Sequence, residues 1–209
     1  MRADDSTVTR FRFLTDSDAE MYFGEIDYRL RTGEHIQAQC QGQEDIFRFL
    51  SKYDDELIDY YQTLFGLLLV KAGSKHDRCY YYLGTTEYVK HKVPVKLQQP
   101  LKNESVLIGL FLWKLIIDFH EVNTVSQFKK MLYEDCEYKD DFFRLLSHVS
   151  DEIHIGDHEE AVDKEIEHAF DEFHRLGWIY REGDRFEIMP SFERLRMLYI
   201  SEINNIDEL

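Results

Sequence analysis

Two stretches of this chain carry the same order of signals: an amphipathic helix, a glycine, and a short pair of strand-like segments. In the first, Glu44–Tyr61 places Ile46, Leu50, Tyr53, Leu57 and then Tyr60 or Tyr61 three or four residues apart. That spacing is one face of a helix. Gly66 follows, and residues 66–71 are apolar and strand-like. After a turn over 72–77, the aromatic run from Arg78 to Leu83 reads as a second strand. In the second stretch, His158–Gly177 carries Val162, Ile166, Ala169, Phe170, Phe173 and Leu176 on one face. Segments 178–181 and 185–188 then flank Glu182-Gly183-Asp184, a tight hairpin turn. Helices closing on a small hairpin are the outline of a winged helix-turn-helix. The predicted fold class is therefore mainly α with small β-hairpin wings (α+β), as a tandem winged helix-turn-helix.

The remaining signals set boundaries around these two copies. A helix is predicted over Asp18–Arg31, stopped by Gly33. The segment from Asn103 to Glu121 is apolar nearly all round, so it must be buried on more than one side, against its own domain and a neighbour. Thr124 with Gln127 forms a capping-box pattern for a short helix over Val125–Tyr133. Another helix is expected over Asp140–Val149, and Pro190 opens a last one over Ser191–Ile203. The expected organisation is an N-terminal extension (1–17), a first winged-helix domain (18–84), a basic connector (85–102), a second winged-helix domain (103–203) and a tail (204–209).

Charge restricts the partners. Of 209 residues, 41 are acidic and 25 are Lys or Arg, a formal net charge of −16. Such a chain is repelled by phosphate backbones at long range. The window from Lys71 to Lys102 is the exception: it is +5, so the rest sums to −21. Direct nucleic-acid contact is expected there, at Lys71, Lys75, Arg78, Lys90, Lys92 and Lys96, and it would be non-specific and salt-sensitive. The competing reading is a basic loop that pairs with the protein's own acidic surface or with an acidic partner. The helices that would enter a major groove are themselves acidic. On the second, Glu159, Glu160, Asp163, Glu167, Asp171 and Glu172 outnumber Lys164 and Arg175. Base readout is not expected from either.

The three cysteines, Cys40, Cys79 and Cys136, are odd in number and form no CxxC, which reads as reduced thiols in a cytosolic protein. The longest apolar run, Val106–Phe119, is too short for a membrane span, and Lys114 interrupts it. No phosphate-binding glycine loop, nucleophile elbow or HExxH motif is present. His154 and His158, beside Asp157, Glu159 and Glu160, are the one pattern that suggests a metal, and a solvated acidic helix start explains it better. No catalytic residue, cofactor or metal is assigned.

Several short segments together resemble a known family. Ile26-Asp-Tyr-Arg-Leu-Arg-Thr-Gly-Glu-His-Ile36 resembles the segment that opens MukE, and the helix ending at Tyr61, the apolar strand and Tyr80-Tyr-Tyr-Leu83 follow in MukE's order. Phe173-His-Arg-Leu-Gly-Trp-Ile179 resembles the element before its second wing. Phe186-Glu-Ile-Met-Pro-Ser-Phe-Glu-Arg-Leu-Arg196 is similar to the MksE branch, whose members include subunits of plasmid-defence condensins. The chain lacks the long acidic tail of MukE, which also favours that branch. The resemblance implies a non-catalytic, kleisin-interacting subunit of a bacterial condensin-like complex, cytoplasmic and nucleoid-associated. Its implied partners are a second copy of itself, a kleisin of the MukF or MksF kind and an SMC ATPase of the MukB or MksB kind. Phe111, Trp113, Trp178, Leu195 and Tyr199 are the candidate partner-interface residues. The alternative function is a free-standing winged-helix regulator of transcription, which needs a basic recognition helix; a metal-dependent enzyme using His154 and His158 is a third class.

Overall fold

The single helix expected over Glu44–Tyr61 is two. In the computed structural model, which describes residues 11–73, 78–85, 101–119, 122–134, 136–150 and 159–206, the chain breaks at Tyr53 (φ −121°, ψ 23°). The apolar stripe survives the break, with Ile46, Leu50, Leu57 and Tyr61 all buried. The reason for the break lies in Asp54, Asp55 and Glu56, which fill the first turn of the second helix, where the helix dipole favours negative charge. The chain divides into two compact units, Met1–Pro100 and Leu101–Leu209. Both are mainly helical with small antiparallel sheets, as the composition of signals predicts.

The first unit runs α1 (Ala19–Arg31), β1 (Ile36–Gln37), α2 (Glu44–Lys52), α3 (Asp54–Phe65), β2 (Leu67–Ala72) and β3 (Tyr80–Thr85). Its sheet has the order β1-β3-β2, with Ile36 opposite Tyr81 on one side and Leu69 opposite Leu83 on the other. Strand β1 is only two residues long. Gln43 holds this corner: its side-chain oxygen accepts the Gln37 N–H at 2.9 Å, and its amide donates to Glu34 at 3.0 Å. Gly66 closes α3 in the left-handed region (φ 67°), so the chain turns directly into β2.

Phe11 and Phe13, placed by sequence in an N-terminal extension, belong to this unit's core. They sit on a 3₁₀ turn (Arg12–Thr15), and the fully buried Phe13 ring lies 4.9 Å from Phe23 and 5.6 Å from Tyr60. Glu56 fastens the turn by accepting from Arg12 Nε at 2.9 Å and from the Phe13 N–H at 3.1 Å. Asp16 fastens its other end through Lys52 Nζ at 2.6 Å and the Tyr53 hydroxyl. These hydrogen bonds, foremost the one from Lys52, hold the Asp16 carboxyl well below the usual carboxylate range.

The second unit runs α4 (Asn103–Phe119), α5 (Val125–Glu134), α6 (Cys136–Val149), α7 (Glu159–Arg175), β4 (Ile179–Glu182), β5 (Arg185–Ile188) and α8 (Glu193–Ile206). Half of the capping box forms: Thr124 Oγ1 accepts the Gln127 N–H at 3.1 Å, while the Gln127 side chain reaches one residue further back and accepts the Asn123 N–H at 3.2 Å. Helix α6 begins earlier than Asp140, and α8 continues into the segment assigned to the tail. Pro190 opens a 3₁₀ turn (Pro190–Phe192) and not the α-helix itself. Strands β4 and β5 pair alone, and Thr124 makes an isolated bridge to Arg185. Thr124 thus stands where β1 stands in the first unit.

Much of the apolar surface of helix α4 is covered within its own unit. Helices α6, α7 and α8 of its own unit all pack on it, and Leu107, Ile108, Leu110, Phe111, Leu112 and Leu115 are buried. Gly109 lets them approach: a Cβ there would lie 2.8 Å from Leu195 Cδ2 and 3.1 Å from Phe173 Cζ. No helix among the described residues is long and apolar enough to cross a membrane.

Candidate functional site

In each unit the helix that precedes the hairpin ends in a left-handed glycine, Gly66 after α3 and Gly177 after α7 (φ 71°). The hairpin then folds back along the helix it has just left. This local reversal brings a cation on the first hairpin strand against carboxylates on the helix, and it does so twice.

In the first unit the cation is Lys71 on β2. Its Nζ lies 2.9 Å from Asp54 Oδ2, on the first turn of α3, and 5.4 Å from the Tyr81 ring centroid. The Tyr81 hydroxyl donates to the same Asp54 oxygen at 3.2 Å and lies 3.4 Å from Ser51 Oγ. Burial alone would raise the Asp54 carboxyl, but the hydrogen bond and charge of Lys71, with Tyr81, outweigh it and leave the group below its ordinary value. The same contacts raise the Lys71 ammonium.

In the second unit the cation is Arg181 on β4. Its guanidinium spans two carboxylates, Nη2 to Glu167 at 2.5 Å and Nη1 to Asp171 at 2.8 Å, while Nε donates to the Gly183 carbonyl at 3.0 Å. From the other side, Lys129 on α5 reaches Glu167 at 2.9 Å and Asp163 at 3.6 Å, and the Tyr133 hydroxyl donates to Asp163 at 2.6 Å. Burial pushes the Glu167 carboxyl up, and the Lys129 and Arg181 hydrogen bonds more than reverse it. The acids of α7 are therefore not a uniform outward face. Asp163, Glu167 and Asp171 hold α5 and the hairpin, Glu160 pairs with Lys164 at 3.2 Å, and Glu172 accepts from Ser105 at 2.6 Å.

Of the six residues proposed for DNA contact, two fall in the described structure. Lys71 is tied to Asp54, the outcome the competing reading anticipates, and Arg78 is exposed beside the start of β3. Lys75, Lys90, Lys92 and Lys96 lie outside the described residues, as do His154 and His158. The partner-interface candidates are mostly interior. Phe111, Trp178 and Leu195 are buried in the second core, Trp113 is half-buried and stacks on Phe192 with centroids 5.8 Å apart, and Tyr199 is half-buried at a kink in α8. The exposed apolar side chains are others, among them Met21, Tyr28 and Leu64 in the first unit and Met197 in the second. Helical periodicity marks all of these as apolar without telling which side of the helix is covered.

The ion-paired acids of the two ties are matched to cations or hydroxyls. No group of three His, Cys, Asp or Glu suited to a metal occurs among the described residues. Cys40 and Cys79 are half-buried, and burial pushes the Cys40 thiol up, away from the reactive thiolate. A groove beside the second hairpin is lined by Asn123, Thr124, Tyr180, Arg185, Glu182 and Glu187 among others, and its charged lining is net negative.

The family model for condensin complex protein MksE matches residues 21–200 of this chain. No curated protein matches it.

Proposed function

The chain belongs to the condensin complex protein MksE family, and on that premise we propose that it is a non-catalytic subunit that works by binding other proteins. Its partners on this reading are a second copy of itself, a kleisin of the MksF kind and, within the assembly, an SMC ATPase of the MksB kind. It acts at the nucleoid in the cytoplasm, in chromosome segregation or plasmid defence.

We infer further that both units are winged helix-turn-helices. The order of helix, strand, two helices and hairpin in the first unit supports this. So does its repetition in the second, with the Thr124 bridge in place of the strand and α6 inserted before α7. The observation that carries the function is the chemistry of the helix before each hairpin. A groove-reading helix presents cations or neutral donors to phosphates and bases. Helix α3 begins with Asp54, Asp55 and Glu56, and α7 begins with Glu159 and Glu160. A DNA-binding frame with its reading helices made acidic is suited to protein contacts, with DNA touched only at the edge through the basic window.

The test is co-purification with a kleisin of the MksF kind from the same cell, followed by light scattering on the pair. A stable complex with dimeric chain is expected. A chain that stays monomeric and ignores that kleisin would overturn the reading. A selection experiment that recovers one tight operator sequence would favour the transcription-regulator alternative.

A further inference from the structure

We propose that Asp54 is a built-in competitor for the phosphate that Lys71 would otherwise bind, so that the first hairpin is held in a DNA-refusing state by its own helix. The inference rests on the reading that the basic window touches DNA, and it adds a regulatory contact to that reading. One oxygen, Asp54 Oδ2, collects the Lys71 ammonium at 2.9 Å and the Tyr81 hydroxyl at 3.2 Å. A phosphate oxygen makes the same demands: an oxyanion acceptor for one ammonium and one hydroxyl. The carboxylate therefore occupies, within the chain, the place of a backbone phosphate.

The second unit shows what a hairpin tie looks like when it is not exchangeable. Arg181 is 15% exposed and is held by two carboxylates in a fork, whereas Lys71 is 44% exposed and is held by one. An ion pair that open is weak and screened by salt. Phosphate at high local concentration can displace it, because Lys71 exchanges one oxyanion for another and loses no acceptor. The subunit alone then binds DNA poorly, and binding is gained when an assembly holds DNA against the hairpin.

The experiment measures binding of a short mixed-sequence duplex by fluorescence anisotropy, at two salt concentrations, for the full chain and four variants: Asp54→Ser, Asp55→Ser, Lys71→Gln and the Asp54→Ser/Lys71→Gln pair. Asp54 and Asp55 are adjacent, and either substitution removes one negative charge, but only the first releases Lys71. Asp54→Ser is expected to tighten binding about threefold and to steepen the salt dependence by about one phosphate contact. Asp55→Ser should do much less, and the double variant should fall to the level of Lys71→Gln alone. Equal effects of Asp54→Ser and Asp55→Ser would overturn the inference while leaving DNA contact intact, as would a gain that persists without Lys71. No salt-dependent binding by the parent or any variant would sink the DNA reading itself. Serine keeps a side-chain acceptor beside the Asp55 N–H, which Asp54 Oδ1 accepts at 3.0 Å; should thermal unfolding show that Asp54→Ser is not folded, Asp54→Asn carries the same comparison.

Discussion

The two units attach a hairpin to a helix by the same device at different strengths. In the first, β2 and β3 sit in a three-stranded sheet, and one half-exposed lysine ties β2 to α3. In the second, the sheet has only two strands and Thr124 supplies a single bridge, yet Arg181 grips two carboxylates and Asp184 binds the start of α5. Where the ladder offers fewer backbone hydrogen bonds, side-chain bonds take up the attachment. A planar guanidinium suits this role, because its donors are held in a fixed fork, whereas the Lys71 ammonium meets a single carboxylate.

The largest effects should come from the cores and show whether each unit stands on its own. Phe13→Ala and Trp178→Ala remove fully buried rings and should each cost about 3–5 kcal/mol. Hydrogen exchange read by mass spectrometry should rise over 11–85 for the first and over 101–206 for the second. A rise outside 11–85 on loss of Phe13 would break the division. The ties come next. Arg181→Ala should cost about 1–2 kcal/mol and Arg181→Lys should recover only part of it, whereas Lys71→Ala should cost under about 1 kcal/mol. Chemical denaturation of the four proteins measures this, and equal losses at Arg181 and Lys71 would erase the distinction drawn here. Gly66→Ala and Gly177→Ala, both at left-handed positions, should each cost about 1 kcal/mol and by similar amounts.

Acid should act on these ties in a definite direction. Asp16, Asp54 and Glu167 are all held below their ordinary values of 3.8 and 4.5 when folded. The unfolded chain therefore binds protons at these sites first. Their stabilisation is complete above those ordinary values and fades as pH falls through the lower, folded ones. Unfolding measured between pH 7 and pH 3 should show the loss, and Arg181→Ala should shrink it. An unchanged acid dependence in that variant would mean that Glu167 is held down by Lys129 alone.

Much of this frame can be read from the chain because its signals are local. The Glu182-Gly183-Asp184 turn, the Thr124 cap on Gln127 and the glycines after α3 and α7 all act within a few residues. What could not be read acts at a distance or is masked by continuity. The stripe from Ile46 to Tyr61 stays in phase through Tyr53, so periodicity shows one helix; the run Asp54-Asp55-Glu56 is the signal that could have revealed the second start. Phe11 and Phe13 have no periodic context, and only the fold brings them to Phe23 and Tyr60. Lys71 and Asp54 are 17 residues apart, Arg181 and Glu167 are 14 apart. Charge counting placed these groups on opposite sides of a balance, but only the hairpin's return along its helix made them partners. Burial of Phe111, Trp178 and Leu195 follows from three helices converging on α4, which no single helix pattern contains.

The turn at Asp184 has a kinetic consequence. Its carbonyl accepts the Val125 N–H at 2.9 Å, its carboxylate accepts the Ser126 N–H at 3.0 Å, and Phe186 N–H returns to the Asn123 carbonyl at 2.9 Å. The first turn of α5 and the tip of the second hairpin therefore cannot open separately, although 58 residues separate Ser126 from Asp184. Where opening limits exchange, amide protons at Val125, Ser126 and Phe186 should exchange with solvent at one common rate, as a single cooperative unit whose opening is one event and not two.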